Sequence, residues 1–421
     1  MRLKRVGWIA GLMAAGILCA GAAEVNYQPF VVGERAAGMG GAVTATADGM
    51  DACFYNPAGL GIETRDSLSV NATLYGIQNY ETADAAFPGE DFKVASFATI
   101  PTGLSAVRRL RAGTVAAFSV FVPSQSKARE IQSFPDRQHY YNYSQDEQTL
   151  QMGPSIGHVV NDRLALGASV FGVYQTASEF QSLYWGDYAY TYTANYKYSV
   201  LGVVGVLGAQ YRLTDGWSIG LVCTTPSATL AGSGCIQVSE VLGDAAAAGA
   251  GAGYYDDLDA DNGLPGQVRA GLGWRRPDRG SLGLDVTHHL ARDFDWMNGT
   301  SDGDPVVIRQ KREAVTDVQL GGEVIFRKRF PVRAGFFTSF SSAPDLDPKD
   351  ASTPKQIDLY GVTIGAGIIG ENVILNFGLS QVWGHGKGFG NRFDEDGDLH
   401  PAVVRSRENA LYAFAGTTYR F

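Results

Sequence analysis

Six histidines, four cysteines and two runs of carboxylates are the groups in this chain that could do chemistry. The histidines are His139, His158, His288, His289, His385 and His400. None falls in an HExxH pair, so the paired ligands of a zinc hydrolase are missing. No GxSxG elbow presents a nucleophilic serine. No two cysteines stand in CxxC spacing. Asp257, Asp259 and Asp261 alternate ahead of Asn262-Gly263, and such carboxylates could gather oxygen ligands for calcium. The glutamate that closes an EF-hand loop is absent, and a solvated loop tip has the same composition. Asp394-Glu395-Asp396-Gly397-Asp398 is a second acidic cluster of this kind. Cys223 and Cys235 flank a Gly/Ser/Thr-rich stretch, where they could join in an oxidising compartment or stay as thiols. Cys53 reads as a small buried residue. The expectation is a protein that catalyses nothing and carries no cofactor.

The start of the chain fixes a compartment. Arg2, Lys4 and Arg5 precede an apolar run from Val6 to about Cys19. Ala20-Gly21-Ala22-Ala23 and the acidic Glu24 follow. A basic segment, a short apolar segment and small residues make an export signal. Cleavage is expected after Ala22 or Ala23, which sets residues 1–23 apart. Downstream, no run of about 18 apolar residues offers a membrane helix. An exported chain without one is soluble or spans as a closed barrel.

Composition favours the barrel. Glycine supplies 53 of 421 residues, aromatics 11% and charged residues only 18%, yet mean hydropathy is -0.07. Alternating lipid-facing and lumenal residues produce that cancellation. The net charge of -9 argues against nucleic acid as a partner. Outer-membrane lipid is the expected surrounding, and a monomer the expected state.

The elements follow from alternation with a period of two. Val268, Ala270, Leu272 and Trp274 point one way, and Arg269, Gly271 and Gly273 the other. Strands are expected at 67–80, 92–101, 112–122, 147–159, 163–176, 197–213, 216–223, 266–275, 280–289, 314–326, 331–340, 356–368, 372–382 and 408–421. They make a transmembrane antiparallel barrel of about fourteen strands over residues 66–421. Short connections (102–111, 160–162, 214–215, 276–279, 327–330, 369–371) alternate with long ones. Outer-membrane barrels have this asymmetry, with short periplasmic turns and long extracellular loops. Both termini then lie in the periplasm. The alternation turns Arg269, Asp285, Glu323 and Arg333 inward at similar depth. There they would form a structural ion-pair network, or a polar belt touching the plug or a ligand carboxylate.

Residues 24–65 do not alternate. They hold Gly38-Met39-Gly40-Gly41-Ala42, an Ala/Asp stretch and Asn56-Pro57-Ala58-Gly59-Leu60. The glycine spacing is not that of a phosphate loop, and no strand precedes it. Small residues and Asn-Pro suit compact turns and close backbone approach, as a plug inside a barrel requires. The order of these motifs after an export signal resembles the FadL/TodX family of outer-membrane transporters. The C-terminal Tyr419-Arg420-Phe421 resembles the terminal signal of outer-membrane barrels. The family resemblance implies fourteen strands and an N-terminal hatch carrying Gly38, Gly40, Gly41, Asn56, Pro57 and Ala58. It implies passive uptake of hydrophobic small molecules such as long-chain fatty acids or aromatic hydrocarbons. By the same resemblance, the long 224–265 loop helps form a ligand groove with Val238, Val241 and Leu242. Residues 238–253 could form a short helix there. Relatives with similar glycine motifs serve secretion or surface assembly, so a scaffold for exported proteins is the rival reading.

Overall fold

The computed structural model describes residues 25–186, 189–242, 249–301, 304–348, 354–393 and 399–421. The expected export signal and the Asp394–Asp398 cluster lie outside them.

The described residues form eighteen strands in one sheet. They are β1 (Ser67–Phe87), β2 (Glu90–Arg111), β3 (Thr114–Phe134), β4 (His139–Val159), β5 (Leu164–Trp185) and β6 (Tyr190–Arg212). Next come β7 (Trp217–Thr224), β8 (Ala228–Leu242), β9 (Gly249–Ala260), β10 (Gln267–Arg276), β11 (Gly280–His289) and β12 (Arg292–Ser301). The last are β13 (Asp304–Arg312), β14 (Val315–Phe326), β15 (Phe330–Ser339), β16 (Gln356–Ile369), β17 (Val373–Phe393) and β18 (Leu399–Arg420). Fourteen of them close an antiparallel barrel, in which β18 returns to pair with β1. The other four form two hairpins that rise beyond the wall: β8 continues along β6 and pairs β9, and β12 pairs β13.

Strand length defines the membrane zone. β10, β11 and β15 have 10 residues each, and about 9–11 tilted residues cross a bilayer. Strands β1 to β6 have 21 to 23 residues, roughly twice what the bilayer needs. They therefore stand out of the membrane at the end opposite the short turns. On the outer wall Val268, Leu272, Leu282, Leu320, Ile364 and Phe377 are exposed. So broad an apolar belt in water would drive aggregation; in lipid it is the solvated surface. Trp217, Phe326, Phe330 and Tyr419 are also exposed near the short turns, where aromatic rings settle at the interface.

The sequence expectation and the structure part in four places. Residues 102–111 continue β2, and the turn falls at 112–113. Segments 81–91, 123–146, 177–196 and 383–407 are mostly strand rather than loop. The helix expected in 238–253 is absent among the described residues, which form the ends of β8 and β9. Of the two states left open for Cys223 and Cys235, the structure has free thiols, on the successive strands β7 and β8. Val25 does not sit at the short-turn end. Its carbonyl accepts from Ser342 N at 2.8 Å, just past the far end of β15, so the chain enters the hatch from above.

Candidate functional site

The lumen near the short turns is filled by residues 33–66, and residues 25–32 lead into it from above. A helical turn α1 (Arg35–Gly38), a helix α2 (Gly49–Tyr55) and a 3-10 helix (Pro57–Ile62) alternate with tight turns. Ala36, Ala52, Leu60 and Met39 are fully or almost fully buried. The segment runs round the inner wall at one level, and the wall meets it with glycine. A Cβ on Gly167 would overlap Pro57, one on Gly220 would overlap Thr44, and one on Gly283 would overlap Ala42. Gly321 faces Met39, and Gly335 faces Met39 and Gly40, in each case through backbone atoms. Backbone against backbone leaves no rotamer free to yield, so glycine is required at those wall positions.

Polar side chains fix the hatch to this seat. Asn56 is fully buried; its Nδ2 donates to the carbonyls of Thr44 (2.9 Å) and Ala209 on β6 (3.0 Å). Its Oδ1 accepts from Ala58 N and caps the 3-10 helix that Pro57 begins. Gly38 ends α1, and Gly40 and Gly41 lie in the turn after it with φ of 63° and 84°. Asp51 accepts from the backbone N–H groups of Glu34 (2.9 Å) and Ala36 (2.7 Å). Asp48 bridges Arg35 of the hatch and Arg275 of β10, at 3.3 and 2.5 Å.

The four inward charges are placed as follows. Arg269, Asp285, Glu323 and Arg333 are all buried in the lumen. Arg333 pairs with Glu323 at 2.7 Å and donates to Asn376. Asp285 accepts from the backbone N–H groups of Val43 and Thr44 and from the Thr44 hydroxyl. These three are thus structural contacts of the hatch and wall. Arg269 differs. Its Nε donates to Thr287, its guanidinium lies 5.0 Å from the Tyr55 ring centre, and no carboxylate among the described residues pairs with it.

Arg269 borders a cavity of about 120 Å³ above the hatch. Phe30, Phe54, Phe171, Val204, Val206 and Leu264 supply its apolar wall. Arg269, Gln151, Gln28 and His289 supply the polar one. Tyr27 stacks on His289 at 4.5 Å. Pro123 and Ser124 reach the cavity from β3, at the point where its pairing with β4 shifts register. Beside that shift the ladder to β2 ends. β2 pairs β3 only as far as Gly103↔Phe121, and above it no backbone pairing joins the two among the described residues. The upper rim is bridged by side chains: Gln132 on β3 bonds the backbone of Asp91 and Lys93. The backbone ladder between β2 and β3 is therefore interrupted at the level of the cavity.

The expected groove residues do not share a face. Val238 packs inward against the aromatic clusters at the loop end, whereas Val241 is 46% exposed on the other side of β8. An odd spacing on a strand forces that separation. The side chain of Leu242 lies outside the described residues. Asp257, Asp259 and Asp261 do not converge either. Asp261 pairs with Arg292 at 3.0 Å, and no metal-ligating cluster occurs among the described residues. The cavity residues Phe171, Val204 and Leu264 were not legible as a site, because three distant segments bring them together.

Burial gives the hatch a pH response. Desolvation raises the Glu34 carboxyl to about 8, only partly offset by the hydrogen bond from Thr418, with Asp51 and Asp48 adding to the rise and Arg333 opposing it. Burial also raises Asp51 to about 6, against the opposing effect of Arg35 and the two N–H donors. Asp48 is desolvated too, but Arg275 and Arg35 more than offset this and hold it ionised. Between about pH 4 and 8 the seated hatch thus holds protons that a solvated hatch would release. The stability that Glu34 and Asp51 lend the seat is full below that window and falls as pH rises through it. Channel openings of the purified protein in a planar bilayer should become more frequent from pH 5 to pH 9. Glu34→Gln should flatten the rise above pH 6; an unchanged profile would exclude Glu34 as its source.

No family model matches this chain, and no curated protein matches it. Solved structures do. A Pseudomonas aeruginosa FadL homologue superposes with a TM-score of 0.64 at 15% identity, over 94% of this chain and all of that one. The Pseudomonas putida toluene transporter TodX gives 0.65 at 17% identity, over 92% of this chain and 98% of its own. The Ralstonia pickettii toluene transporter TbuX gives 0.62 at 16%, over 92% and 98%. The chain has the fold of these FadL/TodX-type barrels.

Proposed function

We propose that this FadL/TodX-type barrel admits hydrophobic small molecules across the outer membrane, passively and without chemistry on them. The observation that carries the reading is the apolar cavity beside a seated hatch, level with the break in backbone pairing between β2 and β3. The hatch closes the direct aqueous route. A solute held among Phe30, Phe54 and Phe171 has a sideways route into lipid, where transfer of an apolar group is favourable. Solved barrels of this fold include toluene transporters and a monoaromatic hydrocarbon channel. The cavity's size agrees with that substrate scale. An engineered cavity of about 150 Å³ holds benzene in another protein, so 120 Å³ suits one ring or the end of an acyl chain. Arg269 stands where a ligand carboxylate or the face of an aromatic ring could meet a cation. The short turns then face the periplasm and the long hairpins the exterior.

The test is uptake of radiolabelled toluene and of a labelled long-chain fatty acid by cells with and without the intact gene. Faster entry of either solute with the protein present is expected. Equal entry of both, with exported proteins copurifying instead, would replace this reading with a scaffold role.

A further inference from the structure

The outer wall of β17 and β18 carries charge in a place that calls for an anion. Up the lipid-facing side of β17 stand Val373, Leu375, Phe377 and Leu379, all exposed, then Trp383. Above Trp383 the same face presents His385 and Lys387, both exposed. The neighbouring strand answers with like charge: Arg407 is the register partner of His385, and Arg405 that of Lys387. Like charges directly opposite on one face destabilise a sheet. Arg407 has a partner, donating to Glu81 on β1 at 2.6 Å. Asp358 lies opposite His385 on β16, but its Oδ1 accepts from Ser341 N. Lys387 and Arg405 have no ion pair among the described residues. A concentration of cations on a chain of net charge -9 is not a consequence of composition.

Depth identifies what could relieve the repulsion. Trp383 marks the interface, where aromatic girdles flank the apolar band. Lys387 is four residues further along a tilted strand, about 10 Å higher along the membrane normal at about 3.3 Å per residue and a tilt of about 40°. The side chains of Lys387 and Arg405 can reach back toward the girdle over that height. They thus border the headgroup layer, while Phe377, Leu379 and Leu411 below offer acyl chains an apolar wall.

We infer that Lys387 and Arg405, flanked by Arg407 and His385, bind the phosphate of a phosphorylated lipid in the outer leaflet. The phosphate sits between the opposed cations and replaces their repulsion with two charge-assisted contacts. This site is separate from the lumenal cavity and does not depend on the transport reading.

The full-length protein in detergent should be titrated by native mass spectrometry with bisphosphorylated lipid A, with its enzymatically dephosphorylated form, and with inorganic phosphate. The wild type should bind the phosphorylated lipid more tightly than the dephosphorylated one. In K387Q/R405Q that preference should fall by about thirtyfold, the worth of two basic side chains at an anionic lipid surface. The single variant K387Q should lose part of it, and K197Q, an exposed lysine on β6, none. Heat-modifiable migration on gels establishes that each variant is folded. Equal affinity for the two lipids, or an unchanged preference in folded K387Q and K387Q/R405Q, would overturn the inference. So would inorganic phosphate binding as tightly as the lipid, since that marks an adventitious ion only.

Discussion

Val204→Trp should abolish capture of small hydrophobic solutes while the barrel stays folded. Val204 is buried on the lumenal side of β6 and forms part of the cavity wall beside Phe171 and Val206. The indole would fill most of a 120 Å³ space. A six-carbon ring that burial stabilises by roughly 0.8 kcal/mol per carbon would lose about 5 kcal/mol, several thousandfold in affinity. Overpacking costs the fold about 1–3 kcal/mol, spread over a wall tied by backbone ladders on both sides of β6. Gel mobility of unheated protein checks folding, and binding of a fluorescent apolar probe reads the cavity. Wild-type affinity in a folded V204W protein would remove the cavity from the transport route.

The same strand explains what could be read in the sequence and what could not. Inside the membrane zone β6 turns Leu201, Leu207 and Tyr211 outward, and Val204, Gly208 and Gln210 inward. Apolar-out alternation of this kind was legible, as were the fourteen wall strands. Above the membrane the period of two continues with its polarity reversed. Tyr190, Tyr192, Tyr196 and Tyr198 point inward, while Thr191, Thr193 and Lys197 point outward. Water has replaced lipid as the outer solvent, so the rule for which face is apolar inverts. A search tuned to a lipid-facing stripe ends where the stripe ends, and the remaining strand looks like loop. Within the site, the hatch motif and the inward charges were visible because each is local in sequence. Asp51 was not, because Glu34 and Ala36 stand 17 and 15 residues from it, and the Asp48–Arg275 pair was not, because it joins the hatch to β10. The seat of the hatch did leave a trace. Gly208, Gly220, Gly283, Gly321 and Gly335 each occupy an inward position on a different strand, but a composition count treats them as surplus glycine rather than as a ring.

That ring leads to the largest expected effect on conductance. G321V/G335V should unseat the hatch and bring single-channel conductance close to that of a chain lacking residues 25–60. A side chain at Gly321 meets the Met39 carbonyl, and one at Gly335 meets the backbone of Met39 and Gly40. Neither contact can relax by a rotamer change, because Gly40 is itself held against the backbone of Phe336. At about 2 kcal/mol for each overpacked position, the pair shifts the balance of seated and unseated hatch by roughly a thousandfold. The strands themselves tolerate valine, whose branched side chain suits a pleated surface. Gly322 supplies the internal control. It adjoins Gly321 on β14 but faces the outer wall, where a Cβ would meet only the flexible end of Leu282 among side chains. G322A should therefore leave conductance unchanged. If G321V/G335V and G322A conduct alike, the glycine ring does not seat the hatch, and Asn56 with Asp285 must hold it without close backbone contact.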